Sequence, residues 1–531
     1  MRQVGRRSAG LLVGATLTAG ALSTAPGTST ATAQLPRYRA VVAVASPQVA
    51  LPGVQVLHRF SAVGSAVVVG TRPALTALAH RAGVLGVSPD STLSTASRDH
   101  SNGSSVYAWQ GLGGQAGKPK AGAGVTVALL DTGVTDTAVL NRASARLVDG
   151  VDTSELAEGG AARTSGTFTD GYGHGTFMAS LIAGGAPEGS KKPVGVAPMS
   201  RVVVVKVADA QGETSLSEVL AGLDWIAVQA PKIQLVNIAL AQDKPGARYG
   251  EDPLTVAVEH VQAAGVAVVA AVGNTPGEVG DPGLDPRVLT VGAADLTGDD
   301  GKSDGDAGKA TVASFSGYGD VAGVRKPDLV ASGVGVLGVL PADSTLARSF
   351  PDAKQANGLW RGSGTSQSTA IATGVAAEFL SSHPDATLSQ VKPSLRAAAD
   401  RIGAGRKSGQ GLLDMAEKAV AATPQSTGEA GLNASAFRAD AWLGGSWRDQ
   451  LDQAWSPTAS SWSASSCHSR RARCTRTTRA GIDQNQKPNP KSISSAWNAI
   501  TPAQPSRAAR GWSCCRTSAA CISSSRSWRR K

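Results

Sequence analysis

No cysteine occurs before Cys467, so most of the chain can form no internal disulfide and must be held together by buried side chains. The five cysteines (467, 474, 514, 515 and 521) all lie in the last stretch, an odd number at spacings that fit no zinc site. Neither a disulfide framework nor a metal centre is assigned. Aromatic residues are scarce at 4%, and 63 glycines imply many tight turns. Long apolar runs are missing too. The strongest, "AGLLVGATLTAGAL" (9–22), is too short and too rich in Gly and Ala for a membrane span. The body of the chain also lacks net charge. The formal total is +11, but from Arg470 to Lys531 fourteen Lys and Arg face one acid, Asp483, a local +13 that leaves the remainder at about −2 (11 − 13). The basicity belongs to a tail and gives no reason to expect a nucleic-acid partner for the rest.

What is present divides into four segments, within the two to four expected of 531 residues. Arg2, Arg6 and Arg7, the apolar stretch and "ATAQ" (31–34) form a basic, apolar and small-residue series that reads as an export signal cut after Ala33. A compact segment follows, in which "YRAVVAVAS" and "GSAVVVGT" alternate like strands and "RPALTALAHRAG" has helical spacing. About sixty residues with few aromatics make a marginal independent fold. "STLSTASRDHSNGSS" (91–105) then reads as a polar, uncovered linker open to proteolytic nicking.

From about residue 120 short Val/Ile/Leu runs alternate with helical patterns. Strands are expected at 125–130, 201–207, 233–240, 266–272 and 287–293, and helices at 174–184, 215–229, 253–264 and 367–382. Nearly continuous apolar strands separated by helices predict an α/β domain whose parallel sheet is covered on both faces. Ligands of such folds sit beyond the carboxyl ends of the strands. Beyond about 422 the pattern ends. Trp442, Trp447, Trp455 and Trp462 recur irregularly in a Gly/Ser background, a degenerate repeat that reads as a stalk or as a stacking surface for cell wall or protein. The Arg-, Ser- and Cys-rich end reads as disorder or out-of-frame translation.

Three short segments fall at expected strand ends or helix starts. "ALLDTGVTD" puts Asp131 after a buried strand, "GHGT" puts His174 at a helix start, and "GSGTSQSTAIATGVAAEFL" puts Ser366 before an apolar helix. Each residue alone has a bland explanation: Asp131 as a turn residue, His174 as a satisfied helix-start histidine, Ser366 as an N-cap, Asn274 as a loop residue after Gly273. Together they carry chemistry. A serine hydroxyl needs a base to take its proton, and the base needs an acceptor to fix its tautomer. An amide from Asn274, at the end of "VAVVAAVGN", and the backbone N–H of Ser366 are two donors for an oxyanion.

"VTVALLDTGV", "GHGTFMASLIAG", "VAVVAAVGN" and "SGTSQSTAIATGVAA", in this order, resemble the blocks of the subtilisin-like serine proteases. The resemblance runs over roughly 101–422 and includes "ASFSGYG", "KPDLVASG" and "GQGLLDMAEKAV". It implies a three-layer α/β peptidase domain with Asp131 as orienter, His174 as base and then acid, Ser366 as nucleophile and Asn274 as oxyanion donor. It further implies that 34–100 is a propeptide, an intramolecular inhibitor and folding aid, with "VLHRFSAVGSAVVV" its most similar portion and the autocleavage site near 91–105. Residues 1–33 are then the signal and 423–531 the tail. Where the family has Ser-Leu-Gly-Gly along its substrate-binding edge, this chain has Ala239, then Leu240, Ala241 and Gln242. Ser332 stands for the usual Pro of another block, and Ala370-Ile371 for the pair that follows the nucleophile.

The expectation is a secreted serine endopeptidase acting on protein or peptide substrates through an acyl-enzyme, with no required cofactor and no nucleic-acid partner. Asp299, Asp300, Asp304 and Asp306 lie in a Gly-rich loop that leaves room for structural Ca2+, but the spacing assigns no ligands and favours a solvated loop. Two alternatives stay open. One is a non-catalytic binding protein on the same fold. The other uses Asp131-Thr132-Gly133 as an aspartic-protease site, which would require a small all-β dimer. Cell-wall contact through the tail is a further expectation.

Overall fold

The computed structural model describes residues 35–95, 97–98, 106–107, 120–230, 232–241, 252–296, 310–321, 323–403, 405–413, 418, 421 and 423–425. The export signal, the acidic loop at 299–306, Gln242 and all four tryptophans and five cysteines noted above lie outside the described residues.

The N-terminal segment builds an antiparallel sheet in the order β2-β3-β1-β4, from β1 (Arg37–Val44), β2 (Gln55–Phe60), β3 (Ser65–Thr71) and β4 (Val84–Pro89). Helix α1 (Arg72–Ala79) follows β3, with Pro73 in its first turn, where a missing N–H costs nothing. Alternation along β1 sends Ala40, Val42 and Val44 toward Leu75 and Leu78 of α1. The intervening Val41, with Val63 and Val67, belongs to a different cluster, shared with the large domain. This sheet therefore has apolar residues on both faces. That explains why its sixty residues read as a marginal fold by themselves.

The segment continues as β5 (Thr92–Thr95) and β6 (Ser97–Arg98). The large domain follows with β7 (Val106–Tyr107), β8 (Thr126–Asp131), β9 (Leu147–Asp152), α2 (His174–Ala183), β10 (Arg201–Lys206), β11 (Thr214–Ser215) and α3 (Leu216–Gln229). It goes on through β12 (Leu235–Ile238), β13 (Leu240–Ala241), α4 (Pro253–Ala263), β14 (Ala267–Ala271), β15 (Leu289–Asp295) and β16 (Thr311–Val312). The last elements are β17 (Gly319–Val321), β18 (Val324–Lys326), β19 (Leu329–Ser332), β20 (Val336–Gly338), α5 (Thr345–Ser349), β21 (Trp360–Gly364), α6 (Thr365–Ser382) and α7 (Val391–Ala398).

The central sheet runs β16-β15-β14-β12-β8-β10-β9, with β19 also on β15; every pairing is parallel except that of β16. Period-two alternation separates two cores. Val127 and Leu129 of β8, with Val202 and Val204 of β10, join the cluster that holds α2 and α6. Ala128 and Leu130 join the one that holds α3 and α4. Helices thus cover both faces, as the unbroken apolar runs predict. From β8 the chain passes to β9 at the sheet edge, returns to β10 between the two, then crosses to β12 on the other side of β8. That reversal marks the crevice where such folds bind ligands.

Residues 91–95 correct one expectation. Over these residues the polar stretch is not uncovered: β5 lies between β11 and β13 in a three-stranded sheet, and Leu93 is only 3% exposed. Its single large apolar side chain finds a core supplied by distant residues, among them Leu216, Leu240 and Leu254. No local pattern within "STLSTAS" could signal this.

Polar contacts tie the N-terminal sheet to α3. Asp90 accepts from the Ser217 backbone N–H and hydroxyl (both 2.8 Å) and from Arg39 Nε (2.5 Å). In return, Asp224 near the end of α3 accepts from the backbone N–H groups of Ala62 (2.7 Å) and Val63 (3.2 Å).

Candidate active site

Asp131 is the last residue of β8 and His174 the first of α2, and both are buried. The imidazole Nδ1 lies 2.7 Å from Asp131 Oδ1 and 2.9 Å from Oδ2. With a carboxylate on Nδ1, that nitrogen carries the proton and Nε2 is the basic one. The glycines around His174 now have a reason. Gly173 caps α2 at φ +111°, a conformation that glycine alone adopts without strain. At Gly175 a Cβ would stand 2.1 Å from the Gly133 carbonyl oxygen, so only glycine lets the turn after Asp131 approach the helix this closely.

Ser366 is the second residue of α6, with Gly364 rather than the serine itself as N-cap. Its Oγ donates to the Ala239 carbonyl at 3.0 Å, while His174 Nε2 is buried and engages no hydrogen-bond partner among the described residues. The hydroxyl therefore rests on a backbone carbonyl and not on the imidazole. Ala239 follows β12, whose Ile238 pairs Leu130, the residue before Asp131 in β8. One rotation about the serine Cα–Cβ bond, between staggered wells, redirects Oγ.

Asn274 follows β14 and meets the start of α6. Its Oδ1 accepts from the backbone N–H and the hydroxyl of Thr365, both at 3.0 Å. A backbone N–H can only donate, so the amide orientation is fixed, with NH2 as the other branch. The fold thus joins Asp131 to His174, and Asn274 to the residue before Ser366. Asp131-Thr132-Gly133 closes a central strand of a mainly parallel sheet and pairs with an imidazole, which excludes the all-β aspartic-protease alternative.

Leu240 and Ala241, the described part of the expected substrate edge, form β13 and pair antiparallel with the chain's own β5, Leu240 opposite Thr95 and Ala241 opposite Ser94. On the other side of β5, Thr214 pairs Leu93 and Ser215 pairs Thr92. Past residue 96, β6 pairs β21, with Ser97 opposite Gly364 and Arg98 opposite Ser363. The methyl of Ala241 and the side chain of Leu240 do not interrupt backbone pairing, because an antiparallel ladder uses only N–H and C=O groups.

Asp170 is a buried neighbour of the Asp131–His174 pair that the sequence did not single out. Fully buried, it accepts four hydrogen bonds: from Thr132 Oγ1 (2.8 Å) and Gly173 N (2.6 Å) on Oδ1, and from Thr176 N and Oγ1 (both 2.8 Å) on Oδ2. Burial pushes its carboxyl above the usual range, and the four donors oppose that shift. The available signal was its place, an acid just ahead of a helix start. Among the described residues no group of three or more His, Cys, Asp or Glu is arranged to hold a metal ion.

A mainly parallel sheet between two helical layers, with an acid–imidazole pair at the end of one strand and the start of one helix, defines a three-layer α/β fold. A family model described as the subtilase family matches residues 122–428, more than half of the chain, and the chain belongs to that family. It is similar to serine protease AprX of Bacillus subtilis (32% identity, 54% of this chain and 63% of that one). Similarity extends to Subtilisin Savinase of Lederbergia lenta (32%, 55% and 90%). The chain thus spans slightly less than two thirds of the length of AprX. The crystal structure of fervidolysin from Fervidobacterium pennivorans, described as a keratinolytic enzyme related to subtilisin, shares the fold. Its TM-score is 0.56 at 19% identity, covering 75% of this chain and 62% of that one.

Proposed function

We propose that this chain is a secreted serine endopeptidase, made with an N-terminal segment that fills its own cleft until it is cut. Ser366 Oγ attacks the scissile carbonyl carbon as its proton passes to His174 Nε2. Asp131 holds the ring and offsets the charge it gains. Asn274 NH2 and the Ser366 N–H, at the positive end of α6, stabilise the oxyanion. The proton then goes to the leaving amine, and water repeats the sequence on the acyl-enzyme. Among the described residues no helix is long and apolar enough to cross a membrane; export rests on the basic and apolar N-terminal pattern.

One observation carries this reading: the chain's own residues pair as extended strands along backbone edges, Ser94–Thr95 against Leu240–Ala241 and Ser97–Arg98 against Ser363–Gly364. An extended peptide laid along backbone edges is how a protease presents a bond for attack. Ala96–Ser97, between these two paired stretches and within the 91–105 segment expected to hold the autocleavage site, is the bond expected to be cut on maturation, with the segment before it then acting as inhibitor. Protein or peptide chains able to adopt the same extended form are the expected substrates, and the tail as a cell-wall contact belongs to the same proposal.

The test is Ser366→Ala in the full chain. The parent is expected to release a fragment ending at Ala96 and to hydrolyse casein, and the variant to do neither. Casein hydrolysis by the variant at the parental rate would overturn the assignment.

A further inference from the structure

We propose that Asp170 is the positioning residue of this site, setting the distance between Asp131 and His174 by tying the turn after β8 to the first turn of α2. The inference rests on the endopeptidase reading for its kinetic consequences, but its geometry stands apart from it. Helix α2 begins at a glycine that has no side chain to cap it, and all ten of its residues are buried. Its first N–H groups therefore need acceptors from elsewhere, because a buried donor left unpaired is destabilising. Two residues supply them. Asp170 takes Gly173 N and Thr176 N, one on each carboxylate oxygen. Thr132 Oγ1 takes Gly175 N at 2.9 Å.

The same Thr132 hydroxyl donates to Asp170 Oδ1 at 2.8 Å, which closes a ring through residues 132, 170 and 173–176. Thr176 extends it: its hydroxyl donates to Asp170 Oδ2 and accepts from Thr135 N at 3.1 Å. Both members of the dyad are thus attached to one carboxylate through their neighbours. Asp131 is the residue before Thr132, and His174 lies between Gly173 and Gly175. Asp170 hydrogen-bonds neither Asp131 nor His174. An anion at the start of α2 is also favoured by the helix dipole, so the arrangement is electrostatically consistent with a charged Asp170.

An asparagine at 170 keeps the shape but presents an NH2 group to donors, so at least one buried donor loses its acceptor and the ring must shift. Misplacement of a reacting group by about 1 Å can cost about 10²-fold. For Asp170→Asn, kcat on a peptide substrate should fall about 30-fold or more per folded molecule, with KM within about twofold. Loss of fold alone would lower the amount of active enzyme and leave kcat per folded molecule unchanged.

Should that variant not fold, Thr132 gives the same test more gently. Thr132→Val keeps the shape without the hydroxyl, and Thr132→Ser keeps the hydroxyl without the methyl. The serine variant should retain kcat within about threefold, and the valine variant should lose it. Equal losses in both, or parental kcat in Asp170→Asn, would overturn the inference. A readout free of turnover is the low-field proton resonance of the His174–Asp131 hydrogen bond, recorded on the uncut Ser366→Ala chain. It should be present there and lost or displaced when Asp170→Asn or Thr132→Val is added. An undisturbed resonance sinks the positioning role even if the endopeptidase reading holds. A disturbed one supports that role even if no peptidase activity is found.

Discussion

Leu93 offers the sharpest measure of how firmly the chain holds its own segment in the cleft. It is 3% exposed and sits in the same cluster as Leu216 and Leu240, while its strand neighbours Thr92 and Ser94 are exposed. Leu93→Ala removes about three methylene equivalents, worth about 2.4 kcal/mol at about 0.8 each, and any cavity left behind adds to that. If β5 opens locally rather than with the whole domain, the open population rises about 50-fold, since about 1.4 kcal/mol is a factor of ten. The assay is limited trypsin digestion of the uncut Ser366→Ala chain, following cleavage after Arg98. Cleavage of a transiently open segment tracks its open population. The Leu93→Ala rate should rise about 50-fold, whereas Ser94→Ala, at an exposed position, should cleave at the parental rate. A Leu93→Ala rate within threefold of the parent, at unchanged global stability, would show that the leucine does not anchor the segment.

Two further outcomes follow from buried groups. Burial pushes Glu218, the N3 residue of the capping box of α3, up to about 7, with the nearby Asp90 charge adding to the rise and hydrogen bonds from Ser215 opposing it. Because the folded state then binds more protons than the unfolded state, the stability this carboxyl contributes is complete below its usual range and is lost as pH rises through about 7. Glu218→Gln, which suits the same capping box, should flatten the fall in urea midpoint between pH 5 and pH 8, and an identical slope in both proteins would contradict the assignment. Gly175→Ala should cost about 3 kcal/mol, the upper end for overpacking, because the added methyl meets backbone at Gly133 and no flexible side chain can yield. A denaturant midpoint equal to the parent's would mean that the turn and helix do not meet as described.

Much of this was legible along the chain because it depends on near neighbours. Helix α2 was expected at 174–184 and spans His174–Ala183, and α3 was expected at 215–229 and spans Leu216–Gln229. Their periodicity and end signals lie within a few residues of one another. Run 233–240 was less simple: it divides into β12 on the central sheet and β13 on the cleft edge, with Ala239 between them offering its carbonyl to Ser366. An unbroken apolar run cannot show that its last residues pair with a different partner.

By itself, the sequence determined which residue types could do acid–base and nucleophilic work, and on which local elements each stood. Strand ends and helix starts are written in periodicity, caps and glycines, and Asp131, His174, Asn274 and Ser366 each occupy one. The tertiary structure alone decided what these groups touch. Oγ of Ser366 turns to a carbonyl 127 residues away in sequence, Asp170 links two segments 38 residues apart through Thr132, and a polar stretch before the domain becomes the middle strand of a cleft sheet. Such contacts depend on which edges and buried donors happen to face one another once the layers close. Nothing in the spacing of neighbouring residues encodes that complementarity.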